Sequence, residues 1–409
     1  MSMENESSET EEGLETTSRR NFLGKAGVGV AGFAAAGTIL AACSTSGTDS
    51  GNDDNDGTSG TGGGTSDTGE EVNTENVQLE WRMATSWPTS LVTLYGAAEL
   101  FSERLLKLTD GEFYIKPSSA GDIVPGNQVL PAVRDGGAEA GHTASYYYTD
   151  LSTTQQFGTA VPFGLTQRQH YAWLYQGGGL EALNQFYAEE YNVITFPCGG
   201  TGTQMGGWFT KEINTVDDLQ GLKIRVPGIL VGRVFTALGA EQVDISGGEI
   251  IQQIQNGGID AAEFVGPTDD LTLGLDELGS DLYYYHPGWW EPGTTLEIQI
   301  NLDLWNELSP QYQAAVQSAA AEANLLTLAK YDVLNSDDFI EVEKFAQVRE
   351  FSPELMKAFK EKTDEVLNEE AENNAKFKEI LEPYREYQAK VSKWHATAEL
   401  SYLTQQAQA

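Results

Sequence analysis

The chain is poor in basic residues. Its 409 residues include 24 Lys and Arg against 61 Asp and Glu, which gives a formal net charge of −37. A surface with this charge repels phosphate groups, so the composition argues against nucleic acid as a partner. It also gains nothing from anionic lipid headgroups. Such self-repulsion is tolerable where concentrated salt screens it over about 3 Å. The composition therefore indicates a halophile rather than an ordinary acidic protein.

Cysteine and histidine are also scarce. The chain has two cysteines, Cys43 and Cys198, and four histidines. The histidines show no metal-ligand spacing, and neither His-Glu-x-x-His nor Gly-x-Ser-x-Gly occurs. The glycine-rich residues 199–207 lack the Lys-Ser/Thr pair of a phosphate loop. The motifs therefore give no support for zinc, nucleotide or serine-hydrolase chemistry.

The N-terminal region lacks a long apolar run. Its uncharged segment, residues 26–42, has 17 residues, whereas a membrane span needs about 20 strongly apolar ones. Arg19 and Arg20 precede it in a Ser-Arg-Arg-Asn-Phe-Leu context, which resembles a twin-arginine export signal. Leu-Ala-Ala-Cys at 40–43 resembles a lipobox. We therefore interpret residues 1–43 as a signal with Cys43 lipidated, over the alternative of a poor transmembrane anchor, and predict a lipid-anchored extracytoplasmic protein.

The next segment is a predicted tether. Except for Val72, residues 44–76 consist of Gly, Ser, Thr, Asn, Asp and Glu. Without apolar surface to offset the ordering entropy, this acidic linker should be disordered. A flexible coil of its length spans roughly 30 Å. Such a span would let a globular body move near a membrane partner.

The remaining residues have a globular composition. Predicted strands alternate with helices, which indicates α/β architecture with a largely parallel sheet, and the length exceeds one comfortable core. We predict domain I at 77–198 plus 292–345, domain II at 199–291, and C-terminal helices at 346–409 that brace the domains or a dimer. The glycine-rich passage 198–210 suits a hinge, and Cys198 is expected in a buried strand.

Several motifs occur in an order typical of one family. They include MATSWP (83–88), AGDIVPGNQVLPAVRDG (120–136), TGTQMGGWF (201–209), DLQGLKIRVPG (218–228), GGEIIQQIQNGGIDAAEFVGP (247–267) and YYYHPGWWEPG (283–293). Together they resemble the solute-binding proteins of tripartite ATP-independent periplasmic (TRAP) transporters, the DctP-like family. They look most like the branch that binds 2-oxo acids such as pyruvate. The resemblance implies a two-domain periplasmic-binding-protein-like fold with a cleft, which delivers a small carboxylate to membrane permease subunits without catalysis.

Arg225 is the predicted anchor for the ligand. It closes the strand LKIRVPG, where a guanidinium can reach a cleft and hold a carboxylate through two parallel hydrogen bonds. In the family the matching arginine anchors the substrate carboxylate. The alternative is an arginine in a structural ion pair.

The resemblance also implies a cation site. The residues matching Gln204 and Glu263 bind the cation together with the main-chain carbonyl of the next residue, here Phe264 where the branch usually has tryptophan. Oxygen ligands suit Na⁺ or Ca²⁺. The charges of Arg225, Na⁺, Glu263 and a monoanion sum to zero, so Na⁺ is preferred over Ca²⁺. The alternative for Glu263 is an ordinary strand-end acid.

Aromatic residues are candidates for the pocket wall. Trp87, Tyr146, Tyr147 and Trp289 could line the cleft, and a tyrosine hydroxyl can donate to a carboxylate. The alternative is that they are core residues. Glu291 is expected either to latch a domain edge or to line the cleft.

Three functional questions stay open at this point. The ligand could be another carboxylate such as lactate. A sensory protein could present the same ligand to a membrane receptor, and an exported metalloenzyme acting on 2-oxo acids is a weaker alternative.

The C-terminal helices carry more apolar residues than a thin solvated helix requires, which predicts a homodimer; examples are Leu355, Phe359, Val366 and Phe377.

Overall fold

The computed structural model describes residues 74–245, 247–279 and 282–408. The predicted export signal, Cys43 and nearly all of the acidic linker lie outside these residues. The described residues form two β-sheets surrounded by helices, which confirms the α/β class. Among the helices of this part of the chain, none is both long and apolar enough to span a membrane.

The strands are short and lie between residues 79 and 350. They are β1 Leu79–Thr85, β2 Phe113–Ser118, β3 Ala140–Thr143, β4 Val193–Gly200, β5 Trp208–Phe209, β6 Lys223–Arg225, β7 Glu241–Gln242, β8 Ala261–Ala262, β9 Tyr283–His286, β10 Thr295–Asn301 and β11 Gln347–Glu350. In β1 the alternating residues Trp81 and Met83 are buried, as their spacing predicts.

The strands form two separate sheets. The first has the order β2-β1-β3-β10-β4 and the second β11-β9-β5-β8-β6-β7. Strand β1 is parallel to β2 and β3, whereas β10 runs antiparallel to both of its neighbours. The first sheet is therefore mixed rather than largely parallel. Strand β10 lies in the segment 292–345, which the sequence analysis assigns to the first domain, and it pairs within the first sheet.

The helices include one of 33 residues. They are α1 Leu94–Leu108, α2 Val129–Arg134, α3 Gln156–Thr159, α4 Gln167–Gln176, α5 Gly179–Tyr191, α6 Ile229–Ala237, α7 Ile250–Gln255, α8 Pro267–Thr272, α9 Leu302–Glu307, α10 Pro310–Val342, α11 Pro353–Asn373, α12 Ala375–His395 and α13 Ser401–Gln406. A π-helical turn, Ala396–Leu400, joins the last two. A 3₁₀ turn, Ser145–Tyr148, follows β3.

The sequence pattern predicts a helical segment over 167–191, a helix over 353–396 and only helices over 346–409, and the structure modifies each of these predictions. Residues 167–191 form two helices because Gly178 adopts φ +86°, a left-handed conformation that interrupts them. The predicted helix over 353–396 is broken at Asn374, whose side chain accepts from the main-chain N–H of Phe377 and caps α12. Residues 346–409 also begin with β11, which pairs in parallel with β9.

Helix α10 connects the two sheets. Its first half packs on α1 and β4, and its second half packs on α8. Val316 and Ala319 belong to the apolar cluster of the first sheet, whereas Val342 belongs to a cluster of the second. Cys198 is fully buried in β4 with a free thiol, as predicted. The long helix thus provides a continuous support along both halves of the body.

The C-terminal helices bury their apolar residues within the chain. Leu355, Phe359, Val366 and Phe377 all belong to one cluster together with residues of α4, α5 and α6. These four side chains therefore do not supply the unsatisfied apolar face from which the sequence predicts a dimer. The exposed apolar residues of this region lie further along, at Trp394, Leu400, Tyr402 and Leu403.

Candidate functional site

A small cavity lies where elements of the two sheets meet. It contains about 290 Å³ of free space, part of it open to solvent. The 3₁₀ turn after β3 and the start of β10 contribute from the first sheet, and the ends of β6 and β8 contribute from the second. Its polar wall is formed by Thr201, Gln204, Arg225, Glu263 and Thr294. Three polar residues predicted for binding, Gln204, Arg225 and Glu263, are thus brought together.

Arg225 and Glu263 converge because of strand pairing. Strands β6 and β8 are parallel, with Arg225 opposite Ala262, so the residues at their carboxyl ends meet at one edge of the sheet. The Arg225 Nη1 donates to the main-chain carbonyl of Glu263 at 2.7 Å and also to its carboxylate Oε1. Its Nε donates to the carbonyl of Ile245 at 3.3 Å. Arg225 therefore makes the ion pair considered as its alternative role, inside the cavity.

The Glu263 carboxylate has unused acceptor capacity. It is 1% exposed, and its Oε2 has no hydrogen-bond partner among the described residues. Burial, and then the negative charge of Glu291, raise the pKa of Glu263 well above its ordinary value, while Arg225 opposes the shift. A buried acceptor without a donor is unfavourable in the isolated protein. It is also a group that a cation could bind.

Gln204 lies in the loop between β4 and β5. Its Nε2 donates to Thr201 Oγ1 at 3.2 Å and to Thr294 Oγ1 at 3.0 Å. Its Oε1 is buried and has no partner in the described part of the chain. Gln204 and Glu263 therefore each bring one buried, unpaired oxygen to the cavity wall.

Glu291 is a second buried acid beside the site. It is 1% exposed, and its Oε2 accepts from Thr294 Oγ1 at 3.0 Å. Burial raises the pKa of Glu291 to about 7, although hydrogen bonding from Thr294 and the charge of Arg225 oppose the shift. The cavity region therefore holds two carboxyl groups and one guanidinium.

The aromatic predictions divide into two groups. Trp87, Tyr146 and Tyr147 line the cavity, and the two tyrosine rings pack edge-to-face with centroids 5.0 Å apart. Burial, and then the charge of Glu291, raise the pKa of Tyr146 well above its ordinary value. Trp289 is not in the wall. Its ring stacks on Phe359 of α11 at 4.6 Å within the apolar core, the alternative role considered above.

Phe264 forms the wall next to Arg225. The guanidinium carbon lies 6.0 Å from the centroid of the Phe264 ring, within range of a weak cation–π contact. The residue follows Glu263 directly in the sequence, and both residues line the cavity. Val265, the next residue, also lines the cavity.

The sequence analysis misses Thr201 and Thr294 as site residues. No motif marks them, because they matter only through the side chains that they contact. The main-chain N–H of Thr201 donates to the carbonyl of Thr294 at 3.1 Å, and that of Gln204 donates to the carbonyl of Glu291 at 3.2 Å. These bonds hold the 201–204 and 291–294 segments side by side.

Residues 83–374 match the family model described as bacterial extracellular solute-binding protein, family 7, or DctP. The chain belongs to this family. Its members are solute-binding components that work outside the cytoplasm, not enzymes. A relative from Nostoc sp., a monocarboxylate 2-oxoacid-binding periplasmic protein, is 46% identical over 338 residues, which cover 81% of this chain and 92% of the relative.

Solved structures of TRAP solute-binding proteins share the two-domain fold. One from Bordetella bronchiseptica, a dimer with calcium and picolinate in its active site, has a TM-score of 0.77 and 38% identity, and the match covers 81% of this chain and 98% of that one. One from Colwellia psychrerythraea with calcium and pyruvate has a TM-score of 0.77 and 32% identity, covering 80% and 99%. One from Pseudoalteromonas atlantica with sodium and pyruvate has a TM-score of 0.76 and 33% identity, also covering 80% and 99%.

Proposed function

We propose that this DctP-family protein captures a 2-oxo acid such as pyruvate together with a cation and delivers it to the permease subunits of a TRAP transporter. One observation carries the proposal. One small cavity is lined by Arg225, Gln204 and Glu263, and the last two each carry a buried oxygen without a partner among the described residues, Gln204 Oε1 and Glu263 Oε2. The binding of pyruvate by two solved relatives supports the choice of ligand.

When ligand and cation bind, the Arg225–Glu263 ion pair would be replaced by two new pairs, one for each side chain. A ligand carboxylate competes with Glu263 for the guanidinium, which can hold it through two parallel hydrogen bonds. The Glu263 carboxylate is then available to a cation. Keeping both Arg225 and Glu263 paired in the closed site avoids leaving a buried charge uncompensated.

The proposed cation ligands are Gln204 Oε1, the Glu263 carboxylate and the Phe264 carbonyl. All are oxygen donors, which fits a hard cation. A bound cation would neutralise Glu263 and attract the ligand's carboxylate and keto oxygens. We propose Na⁺, because its charge and that of Arg225 balance Glu263 and a monoanionic ligand. Ca²⁺ is the second candidate, because an ionised Glu291 would add the further negative charge that a divalent ion balances.

The ligand would bind between two domains. We propose domain I at 77–198 and 292–345, domain II at 199–291 and C-terminal helices at 346–409, with the hinge in the passage 198–210. Support comes from the sheets, since β1–β3, β10 and most of β4 lie in domain I, whereas β5–β9 lie in domain II. A side chain at Gly207, where φ is +80°, would approach the carbonyl of Ala262 to 2.8 Å. A small-angle scattering measurement with and without pyruvate tests whether the body closes.

We also propose that the protein is exported and anchored to the membrane by a lipid at Cys43. The sequence of residues 1–43 supports twin-arginine export and lipidation at Cys43, and the acidity supports a high-salt habitat. Cys43→Ser should move the protein from the detergent phase to the aqueous phase in Triton X-114 partitioning.

We also propose a homodimer, which the exposed residues Trp394, Leu400, Tyr402 and Leu403 support. Light scattering in about 2 M NaCl tests it, and a monomer mass would contradict it.

The binding proposal itself is tested by calorimetry. Pyruvate, lactate, dicarboxylates and sugar acids are titrated into the protein in concentrated NaCl. Pyruvate and other 2-oxo acids should bind, whereas the ligands without a keto oxygen beside the carboxylate should bind more weakly. Tight binding of a dicarboxylate or sugar acid, and none of pyruvate, would contradict the proposed ligand class.

A further inference from the structure

Two threonines in the cavity wall contact the side-chain amide of Gln204. Its Nε2 lies 3.2 Å from Thr201 Oγ1 and 3.0 Å from Thr294 Oγ1. Both threonines are buried, with 3% and 1% of their surfaces exposed. A hydroxyl can donate one hydrogen and accept others, so the direction of each contact depends on where that hydrogen goes.

Each hydroxyl hydrogen already has another acceptor. Thr201 donates to the main-chain carbonyl of Gly202 at 3.0 Å. Thr294 donates to the carboxylate of Glu291 at 3.0 Å. Both threonine oxygens are therefore acceptors toward Gln204. Only the NH₂ end of the amide can donate to them, which fixes an orientation that is otherwise ambiguous in a glutamine.

The orientation has a consequence for the proposed cation site. With Nε2 directed at the two threonines, Oε1 is the remaining polar atom of Gln204, and it is buried without a partner among the described residues. We infer that Thr201 and Thr294 are positioning residues that present the Gln204 oxygen to the cation, and that Glu291 sets the direction of the Thr294 hydroxyl. This inference rests on the proposed cation-dependent binding of a 2-oxo acid.

The same contacts explain why an inverted amide would be harmful. Rotating the amide by half a turn would place its NH₂ hydrogens, which carry partial positive charge, toward the cation. Groups that orient metal ligands from behind typically change metal affinity by about 10–100-fold when they are removed. The main-chain bonds between 201–204 and 291–294 keep the two threonines on either side of the amide.

The first test removes one hydroxyl. Full-length wild type and Thr294→Val are titrated with NaCl, and separately with CaCl₂, in about 2 M KCl containing pyruvate. Intrinsic tryptophan fluorescence and calorimetry report binding. The half-saturating cation concentration should rise about tenfold or more in Thr294→Val and stay within about threefold in Thr294→Ser, which keeps the hydroxyl. Thr363→Val is the matched control, because Thr363 is equally buried and its hydroxyl has no hydrogen-bond partner in the described chain.

A double-mutant cycle separates positioning from general damage. In a Gln204→Ala background, Thr294→Val should change the cation requirement by less than about twofold, because no amide is left to orient. Additive effects would overturn the inference. If Thr294→Val does not fold by circular dichroism, Thr201→Val is measured in the same cycle with the same expectation.

Failure of the proposed function has a different signature. If wild type binds pyruvate equally well with and without Na⁺ or Ca²⁺, then the cation site is absent and the inference is overturned with it. If wild type requires the cation and the Thr294→Val variant behaves like wild type, then only the role of the threonines is wrong.

Discussion

The Arg225 guanidinium donates to both the main-chain carbonyl and the carboxylate of Glu263. Arg225 ends β6, and Glu263 directly follows β8, the parallel strand beside it. The two side chains are 8% and 1% exposed. A buried pair of this kind contributes little net stability, but removing one member leaves the other charge buried without a partner. The pair therefore contributes little to the stability of the fold. Its importance lies in the new partners, a ligand carboxylate and a cation, that Arg225 and Glu263 can take.

The first prediction concerns the guanidinium. Arg225→Lys keeps the positive charge beside Glu263 but cannot hold a carboxylate through two parallel bonds. Pyruvate affinity should fall by about 2–5 kcal/mol, which is tens- to thousands-fold, as calorimetry in NaCl measures. Arg349→Lys, at an exposed ion pair with Glu212, is the control and should bind normally. Affinity of Arg225→Lys within about threefold of wild type would remove Arg225 from the role of anchor.

The second prediction concerns the identity of the cation. K⁺ screens the acidic surface as well as Na⁺, because Debye screening ignores ion identity. In NaCl–KCl mixtures of constant ionic strength the fold should persist while pyruvate affinity falls steeply with loss of Na⁺. Adding CaCl₂ to the KCl sample tests the divalent alternative. Glu263→Gln should weaken the dependence by removing a charge that faces the cation. Constant affinity throughout the series would contradict the cation site.

The third prediction separates the tryptophans. Trp289→Ala removes a core ring that stacks on Phe359 and should lower the free energy of unfolding by about 3–5 kcal/mol, measured by urea denaturation. Pyruvate affinity of the folded variant should stay near that of wild type. Trp87→Ala, at a residue equally buried but lining the cavity, should lower the affinity as well. Equal losses of affinity in both variants would place Trp289 back in the site.

The convergence of Gln204, Arg225 and Glu263 on one cavity could be predicted from the sequence because short segments carry these residues. Arg225 ends one strand and Glu263 follows another, and parallel pairing brings strand ends together without further information. Gln204 lies in a segment characteristic of the family. What the sequence could not provide was the direction of each side chain. Trp87 lines the cavity, whereas the ring of Trp289 lies in the core, because it stacks on Phe359, a residue distant in the sequence.

The elements that the sequence analysis misses depend on long-range contacts. Strand β11 is a polar segment, Gln-Val-Arg-Glu, and becomes a strand only because β9 offers it an edge. The break at Asn374 does have a local signal, since asparagine is a preferred helix cap. The threonine contacts have none, because Thr294 and Gln204 are 90 residues apart in the sequence.

The fourth prediction concerns the dependence of stability on pH. Asp269, at the start of α8, is 1% exposed and accepts hydrogen bonds from Thr93 Oγ1 at 2.5 Å and from Tyr331 OH at 2.6 Å. Burial raises the pKa of Asp269 from 3.8 to about 7, although the hydrogen bonds from Thr93 and Tyr331 oppose the shift and the charges of Asp270 and Asp338 add to it. The folded protein therefore holds a proton here that the unfolded chain releases.

The sign follows from that difference in proton binding. Between about pH 4 and pH 7 the folded state binds more protons at Asp269, so the free energy of unfolding should fall as the pH rises and level off above 7. A shift of about three pKa units corresponds to roughly 4 kcal/mol. Asp269→Asn keeps an acceptor for Thr93 and, like the protonated acid, presents a donor toward the Tyr331 oxygen, but it cannot ionise. Urea denaturation in about 2 M NaCl should therefore show the variant gaining stability relative to wild type as the pH rises.

The comparison with the variant isolates this one carboxyl group. Burial also raises the pKa of Asp270 and Glu291, to about 6 and about 7, so the wild-type curve alone sums several groups. Those groups remain in Asp269→Asn, so the difference between the two curves contains the titration of Asp269 together with its charge coupling to Asp270 and Asp338. Asp332→Asn, which removes an exposed carboxylate next to Tyr331 on α10, is the matched control for the loss of a surface charge. Parallel curves for wild type and Asp269→Asn from pH 4.5 to 8.5 would mean that Asp269 stays ionised in the folded protein despite its burial.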